Sequence, residues 1–255
     1  MPIRLLVIIA AHLFGFSHLT QASESITVAV ATNFIQPMHH LSESFERDTG
    51  YRVKIVSGSS GKLYAQIING APFHLFFSAD ADKPAALEKA GLIQPGSRFT
   101  YARGELVLWT AKSGEIVNQA TLMDNQMTRL AIANPKLAPY GLAAQEVLVR
   151  LERWSALQAK LVYGENIGQT YHFAATANAQ YAFIALSQLK ANDNPTNGSY
   201  WRVPLEFYSP IEQQAVTLRL GEHHPIAAQF SQFMRSENVR LQIQQFGYQS
   251  AGQGE

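Results

Sequence analysis

A run of small residues, Ser57-Gly58-Ser59-Ser60-Gly61, joins an apolar segment that predicts a strand to a segment that predicts a helix. At such a junction the first N–H groups of the helix have no partner within it, and they lie at the positive end of the helix dipole. Serine hydroxyls at the same place add neutral donors. The run therefore indicates an oxyanion site with Ser59 and Ser60 as candidate ligands. The alternative is an ordinary helix start at which one of these serines is the N-cap.

Two motifs of phosphate-binding and hydrolytic enzymes are absent from this sequence. A Walker A loop needs a serine or threonine after its lysine, and here Leu63 follows Lys62. The sequence also lacks the G-x-S-x-G turn of the α/β-hydrolases. The serine-rich run therefore predicts binding rather than nucleotide hydrolysis or a serine nucleophile.

Three further junctions place neutral donors directly before a predicted helix. They are Thr32-Asn33 in the first half of the chain, and Tyr140 and Ile167 in the second half. Each N–H or O–H bond to an ionised acceptor contributes roughly 1.5–3 kcal/mol. About half a dozen such bonds from both halves suit a small doubly charged anion without a lysine or arginine beside it.

The elements around these junctions alternate between segments with the pattern of a strand and segments with the periodicity of a helix. Strands are predicted at residues 25–31, 52–56, 75–79, 105–111, 130–133, 161–163, 181–186 and 214–220, and helices at 34–49, 62–69, 82–90, 142–151, from about 169, at 226–234 and at 239–246. The region before residue 105 reads as irregular, and the strand at 105–111 as the crossing into a second lobe. The alternation predicts an α/β fold with mainly parallel sheets flanked by helices, whose ligands bind beyond the carboxyl ends of the strands.

Composition excludes several classes of protein. The 255 residues are 47% hydrophobic and 15% charged, which predicts one large or two modest packed domains. The net charge of +1 argues against a nucleic-acid partner. Because the chain has no cysteine, disulfides, zinc–thiolate sites and cysteine nucleophiles are excluded.

The first 22 residues have the pattern of a secretory signal peptide. Arg4 precedes an apolar segment at 5–16, and Thr20-Gln21-Ala22 supplies small residues for cleavage after Ala22. The apolar segment is short for a membrane span, which is the alternative. We expect the mature protein, from residue 23, to be soluble in the periplasm.

Several segments together resemble the periplasmic molybdate-binding proteins of ABC transporters. They are ITVAVATNF at 26–34, SGSSGKLYAQI at 57–67, GAPFHLFFSAD at 70–80, ANP at 133–135 and APYG at 138–141. The resemblance implies a two-lobed periplasmic-binding-protein fold that closes on a tetrahedral oxyanion in the cleft between the lobes. It assigns residues 23–103 and 216–255 to the first lobe and residues 104–215 to the second.

The same resemblance implies a ligand set and a role. The ligand would be molybdate or tungstate, and a metal would be present only as part of this bound anion. The anion would be bound by Asn33 with Thr32, by Ser60 beside Ser59, by Tyr140 and by Ile167. Asn33 and Ser60 would use side-chain and main-chain groups, the other two mainly main-chain N–H groups. The protein would be a monomeric, cofactor-free carrier, not an enzyme, that delivers its anion to a membrane permease.

One departure and three alternatives accompany this interpretation. One branch of the family uses a late tyrosine hydroxyl, and the matching position here is Ala185. A carrier of another oxyanion such as sulfate, a carrier of an organic anion, and an enzyme on the same fold stay open. The histidine pairs His39-His40 and His223-His224 lack the i, i+4 spacing of a shared metal and are interpreted as surface residues.

Overall fold

The structure is a computed structural model that describes residues 24–190 and 198–250. The predicted signal peptide and most of the predicted surface loop between Lys190 and Gly198 lie outside these residues. Within them, no helix is both long and apolar enough to cross a membrane.

The elements follow the predicted alternation. The strands are β1 (Ser25–Ala31), β2 (Arg52–Gly58), β3 (Leu75–Phe77), β4 (Phe99–Gly104), β5 (Leu106–Thr110), β6 (Leu130–Ala133), β7 (Leu161–Gly164), β8 (Tyr181–Ala185), β9 (Ser199–Arg202) and β10 (Ile211–Thr217). The α-helices are α1 (Ile35–Thr49), α2 (Ser60–Ile68), α3 (Asp82–Lys89), α4 (Pro139–Arg150), α5 (Trp154–Leu157), α6 (Ile167–Ala175), α7 (Leu186–Lys190), α8 (Pro225–Met234) and α9 (Glu237–Gln245). A 3-10 turn at Thr32–Phe34 precedes α1.

These elements form two five-stranded sheets of the same design. The first has the order β2-β1-β3-β10-β4 and the second the order β7-β6-β8-β5-β9. In each sheet four strands are parallel to one another, and the fourth strand in the order is antiparallel to them. This strand is β10 in the first sheet and β5 in the second. The mainly parallel, helix-flanked sheets that the sequence predicts are therefore confirmed.

The chain passes between the sheets twice. It leaves the first sheet at Gly104, enters the second at Leu106, and returns after β9 to begin β10 at Ile211. The exact division into lobes at 103/104 and 215/216 stays a prediction. Each sheet has its own core, with Phe34, Phe77 and Phe230 among the buried residues of the first.

Strand β9 at Ser199–Arg202 was not predicted, and two other strands differ from the sequence expectation. The region before residue 105 is not irregular, because 99–104 forms β4 on the edge of the first sheet. The strand expected at 214–220 is β10 at 211–217, since the chain turns into a 3-10 helix at Arg219–Gly221.

Candidate functional site

All six residues proposed as ligands lie around one small cavity between the lobes. The residues that line it are Ala31, Thr32, Asn33, Gly58, Ser59, Ser60, Ala79, Ala138, Pro139, Tyr140, Asn166 and Ile167. None of these lining residues is charged. They come from the loops after β1, β2 and β3 in one lobe and after β6 and β7 in the other, which are carboxyl ends of neighbouring strands.

Hydroxyl groups of the first lobe lie at this cavity without serving as helix caps. Ser59 is the residue before α2, yet its Oγ makes no capping bond, and it is buried with no hydrogen-bond partner. Thr32 Oγ1 is also buried without a partner. Ser60 Oγ accepts a bond of 2.9 Å from Ala79 N, which leaves its hydrogen available as a donor. The N-cap interpretation therefore does not describe these side chains.

The second lobe contributes two helix starts. Pro139 is the first residue of α4 and has no N–H, so the N–H of Tyr140 is the first donor of that helix. At α6 the side chain of Asn166 accepts from Gly168 N at 2.9 Å and Gln169 N at 3.0 Å. These bonds do not involve the N–H of Ile167, the first residue of α6, which lies at the cavity.

The side-chain amide of Asn33, which is expected to bind the anion, also has protein partners. Its Nδ2 donates to Gln213 Oε1 at 2.7 Å and to Tyr248 Oη at 3.0 Å, so both amide hydrogens have protein partners. Binding an anion through the side chain would break one of these bonds. The proposed role of Asn33 in this arrangement rests on its main-chain N–H.

Sequence reasoning did not find the buried Tyr101, Gln213 and Tyr248 behind the cavity, nor the hydrogen bond of the Tyr140 hydroxyl. Tyr140 Oη accepts from Gln213 Nε2 at 3.1 Å, and Tyr101 Oη donates to Gln213 Oε1 at 3.0 Å. Burial raises the pKa of Tyr101, Tyr140 and Tyr248, so these hydroxyls stay neutral. Nothing in the local pattern around these residues distinguishes them from core residues.

The two lobes touch each other beside the cavity. Gly61 N, at the start of α2, donates to Leu137 O at 2.8 Å. Lys62 Nζ lies 2.5 Å from Glu165 Oε1 across the same opening. The cavity is small, with a volume of about 10 Å³, which is room for about one water molecule. This small cavity between the lobes therefore favours a compact ligand over one as large as an amino acid or a sugar.

The histidine pairs give no metal centre. No cluster of three or more metal-binding side chains occurs in residues 24–190 and 198–250. His39, His40 and His223 are exposed as expected, but His224 is partly buried. Its ring packs edge-to-face against His74 at 4.8 Å, so the surface interpretation is wrong for this residue.

Residues 26–249 match the family of bacterial extracellular solute-binding proteins. This match covers most of the chain and agrees with the two-sheet architecture. The chain belongs to this family.

Two relatives of this solute-binding protein are named as molybdate-binding proteins. It is 45% identical over 246 residues to molybdate-binding protein ModA of Azotobacter vinelandii, with 96% of each chain covered. It is 40% identical over 230 residues to ModA of Rhodobacter capsulatus, with 90% of each covered. The solved structure of the A. vinelandii periplasmic molybdate-binding protein matches with a TM-score of 0.84 and 41% identity, covering 88% of this chain and 98% of that one.

Proposed function

We propose that this protein captures molybdate, or the similar tungstate, between its two lobes and delivers it to an ABC permease in the membrane. The observation that carries the proposal is the uncharged cavity where neutral donors from four strand-to-helix junctions meet. The relatives named as molybdate-binding proteins support the same ligand. We further propose a monomeric, periplasmic and cofactor-free carrier.

Neutral donors suffice for a dianion when there are enough of them. The candidate donors are the hydroxyls of Thr32, Ser59 and Ser60 and the N–H groups at the starts of the helices. At about 1.5–3 kcal/mol for each bond to a charged acceptor, half a dozen bonds supply roughly 9–18 kcal/mol towards the desolvation of the anion. Only the closed lobes offer all of them at once, so the anion draws the lobes together.

The donor set also explains how other anions would be rejected. Phosphate carries a proton at neutral pH and needs an acceptor, and none of the residues at the cavity has a carboxylate. Sulfate has the charge and shape of molybdate but is smaller, so its oxygens would reach fewer donors. An enzyme would need an acid–base pair, which these lining residues do not supply.

The orphan hydroxyls provide the test. Thr32→Val and Ser59→Ala each remove a buried hydroxyl that has no protein partner. We expect each variant to bind molybdate about 10- to 150-fold more weakly, because a bond to a charged acceptor is lost. The unfolding free energy of the empty protein should stay the same or rise, because a buried unpaired polar group is removed.

A matched control lies elsewhere in the first lobe. Ser42 Oγ on α1 is also buried without a partner but does not line the cavity. Ser42→Ala should therefore change stability in the same direction and leave molybdate affinity as in the wild type. Titration calorimetry and urea unfolding measure the two quantities. Wild-type affinity in both Thr32→Val and Ser59→Ala would refute the site.

A further inference from the structure

We infer that Gln213 is a positioning residue of the oxyanion site, which joins the donor loops of the two lobes from behind the cavity. The inference rests on the proposed function, since it concerns how that site is held closed. Gln213 does not line the cavity and is not expected to contact the anion.

Gln213 lies on β10 and is completely buried, with 0% of its surface exposed. Its Oε1 accepts from Asn33 Nδ2 at 2.7 Å and from Tyr101 Oη at 3.0 Å. Its Nε2 donates to Tyr140 Oη at 3.1 Å. Asn33 and Tyr101 belong to the first lobe and Tyr140 to α4 of the second, so one amide bonds to both lobes.

The main-chain carbonyl of Asn33 also forms hydrogen bonds. Its carbonyl oxygen accepts from Tyr248 Oη at 2.7 Å and from Ser187 Oγ at 3.1 Å. Ser187 lies on α7 in the second lobe, so this carbonyl is a second point at which the lobes are joined. Because Asn33 and Tyr140 both line the cavity, their orientation decides where their main-chain donors point.

Strand alternation turns Gln213 towards the interior, beside a β-bulge in the partner strand β4. Gln213 pairs with Ala102, but Gln214 pairs with Thr100, which leaves Tyr101 as the extra residue on β4. Bulges of this kind redirect side chains locally. The next side chain, Gln214, instead accepts from Arg98 Nη1 and donates to Thr100 Oγ1 near the surface.

Gly104, where the chain leaves the first sheet, leaves room for this contact. A Cβ added there would lie 2.1 Å from Tyr140 Oη and 2.6 Å from Gln213 Nε2. Neither atom belongs to a flexible surface side chain, so no larger residue fits. The bond between Gln213 and Tyr140 therefore lies directly against the passage between the lobes.

This placement couples closure to binding. When the lobes part, Tyr140 moves with the second lobe and its bond to Gln213 breaks. The bond therefore favours the closed state, in which the anion contacts donors from both lobes. A neutral amide does this without adding a charge behind the anion. A purely structural role, filling the core and satisfying Tyr101, would not involve Tyr140 in anion affinity.

The first test replaces Gln213 by a residue of nearly the same shape. In Gln213→Glu the ionised carboxylate can accept from Asn33, Tyr101 and Tyr140, so the fold is kept, but a negative charge lies behind the anion. We expect molybdate affinity to fall more than about tenfold at pH 8. The loss should shrink as the pH is lowered, because a protonated glutamate donates to Tyr140 as the amide does.

The neighbouring groups do not obscure this pH profile. The titratable side chains packed around Gln213 are Tyr101, Tyr140 and Tyr248, which stay neutral because burial raises their pKa values. Asp80, which helps to raise the pKa of Tyr101, forms an ion pair with Lys83 at 2.5 Å.

Gln214→Glu is the matched control for this variant. It makes the same change of charge one residue along β10. It should bind molybdate as the wild type does at both pH values. Wild-type affinity of Gln213→Glu at pH 8, or an equal loss in Gln214→Glu, would overturn the inference.

The second test asks whether Gln213 acts through Tyr140. Gln213→Met keeps the volume and removes the hydrogen bonds, and it is measured alone and combined with Tyr140→Phe. We expect a loss of molybdate affinity of about tenfold in the single variant and less than about threefold in the Tyr140→Phe background. Equal losses in both backgrounds would show that Gln213 is only structural. If the wild type binds no oxyanion, the proposed function fails, whereas wild-type binding with equal losses rejects the inference alone.

Discussion

Replacing Gly61 by alanine should weaken anion binding without weakening the fold. Gly61 is the second residue of α2, and its N–H donates to Leu137 O in the other lobe at 2.8 Å. A Cβ at this position would lie 2.9 Å from Leu137 O and 3.0 Å from Leu137 Cα. Both atoms belong to the backbone, so the clash cannot be relieved by rotating a side chain. The lobes must separate at this point.

The size of the effect follows from that contact. Ordinary contact begins at 3.4 Å, so Leu137 O must move away by several tenths of an ångström, which also stretches the bond from Gly61 N. Overpacking of this kind costs about 1–3 kcal/mol, which corresponds to roughly 5- to 150-fold weaker binding. The cost falls on the closed state alone, because parting the lobes removes it. Alanine inside a helix is also favoured over glycine by about 0.5–1 kcal/mol, so the empty protein should be as stable or more stable.

Titration calorimetry with molybdate measures the expected loss of affinity. Urea unfolding of the empty protein measures its stability, which should stay the same or rise. Ile68→Ala is the control, since Ile68 is exposed at the other end of α2 and does not line the cavity. That variant should keep wild-type affinity. Wild-type affinity in Gly61→Ala would show that the lobes need not meet at this point when the anion is bound.

Two further predictions concern pH and salt. Burial, and then the charge of His224, lower the pKa of His74, so the folded protein favours its neutral form. Its contribution to stability is complete above about pH 6.5 and is lost as the pH falls through the lower folded pKa. The unfolding free energy should therefore drop between pH 7.5 and 5 by more in the wild type than in His74→Gln, and equal slopes in urea unfolding would contradict this. The Lys62–Glu165 pair is about half exposed, so Lys62→Ala should weaken molybdate binding by less than about fivefold. High salt should abolish that difference in calorimetry, and a loss that persists in high salt would contradict a screened surface pair.

The site loops could be predicted because their signals are local. An apolar strand, a few small polar residues and a helix appear in order around Ser59 and Ser60 and again at Thr32, Tyr140 and Ile167. Parallel sheets then bring such loops to one edge, so the sequence predicts their meeting without any knowledge of distances. The cavity that they share agrees with that reasoning.

The strands and residues that were missed depend on partners far along the chain. β4 mixes arginine, threonine and glycine with apolar residues, and its partner β10 follows more than 100 residues later. Gln213 is one of two adjacent glutamines on β10, and strand alternation buries it with Ile211 and Ala215. Its hydrogen-bond partners Asn33, Tyr101 and Tyr140 lie far along the chain. The engagement of the Asn33 amide could not be foreseen for the same reason, since it depends on Gln213 and Tyr248.

The most direct test of the central claim is a titration of the wild-type protein from residue 23 with molybdate, tungstate, sulfate and phosphate at one pH and salt concentration. A neutral cavity between closing lobes predicts tight one-to-one binding of molybdate and tungstate, with sulfate and phosphate at least about 100-fold weaker, a difference of about 2.7 kcal/mol. Binding of sulfate as tight as that of molybdate, or no binding of either large anion, would contradict it.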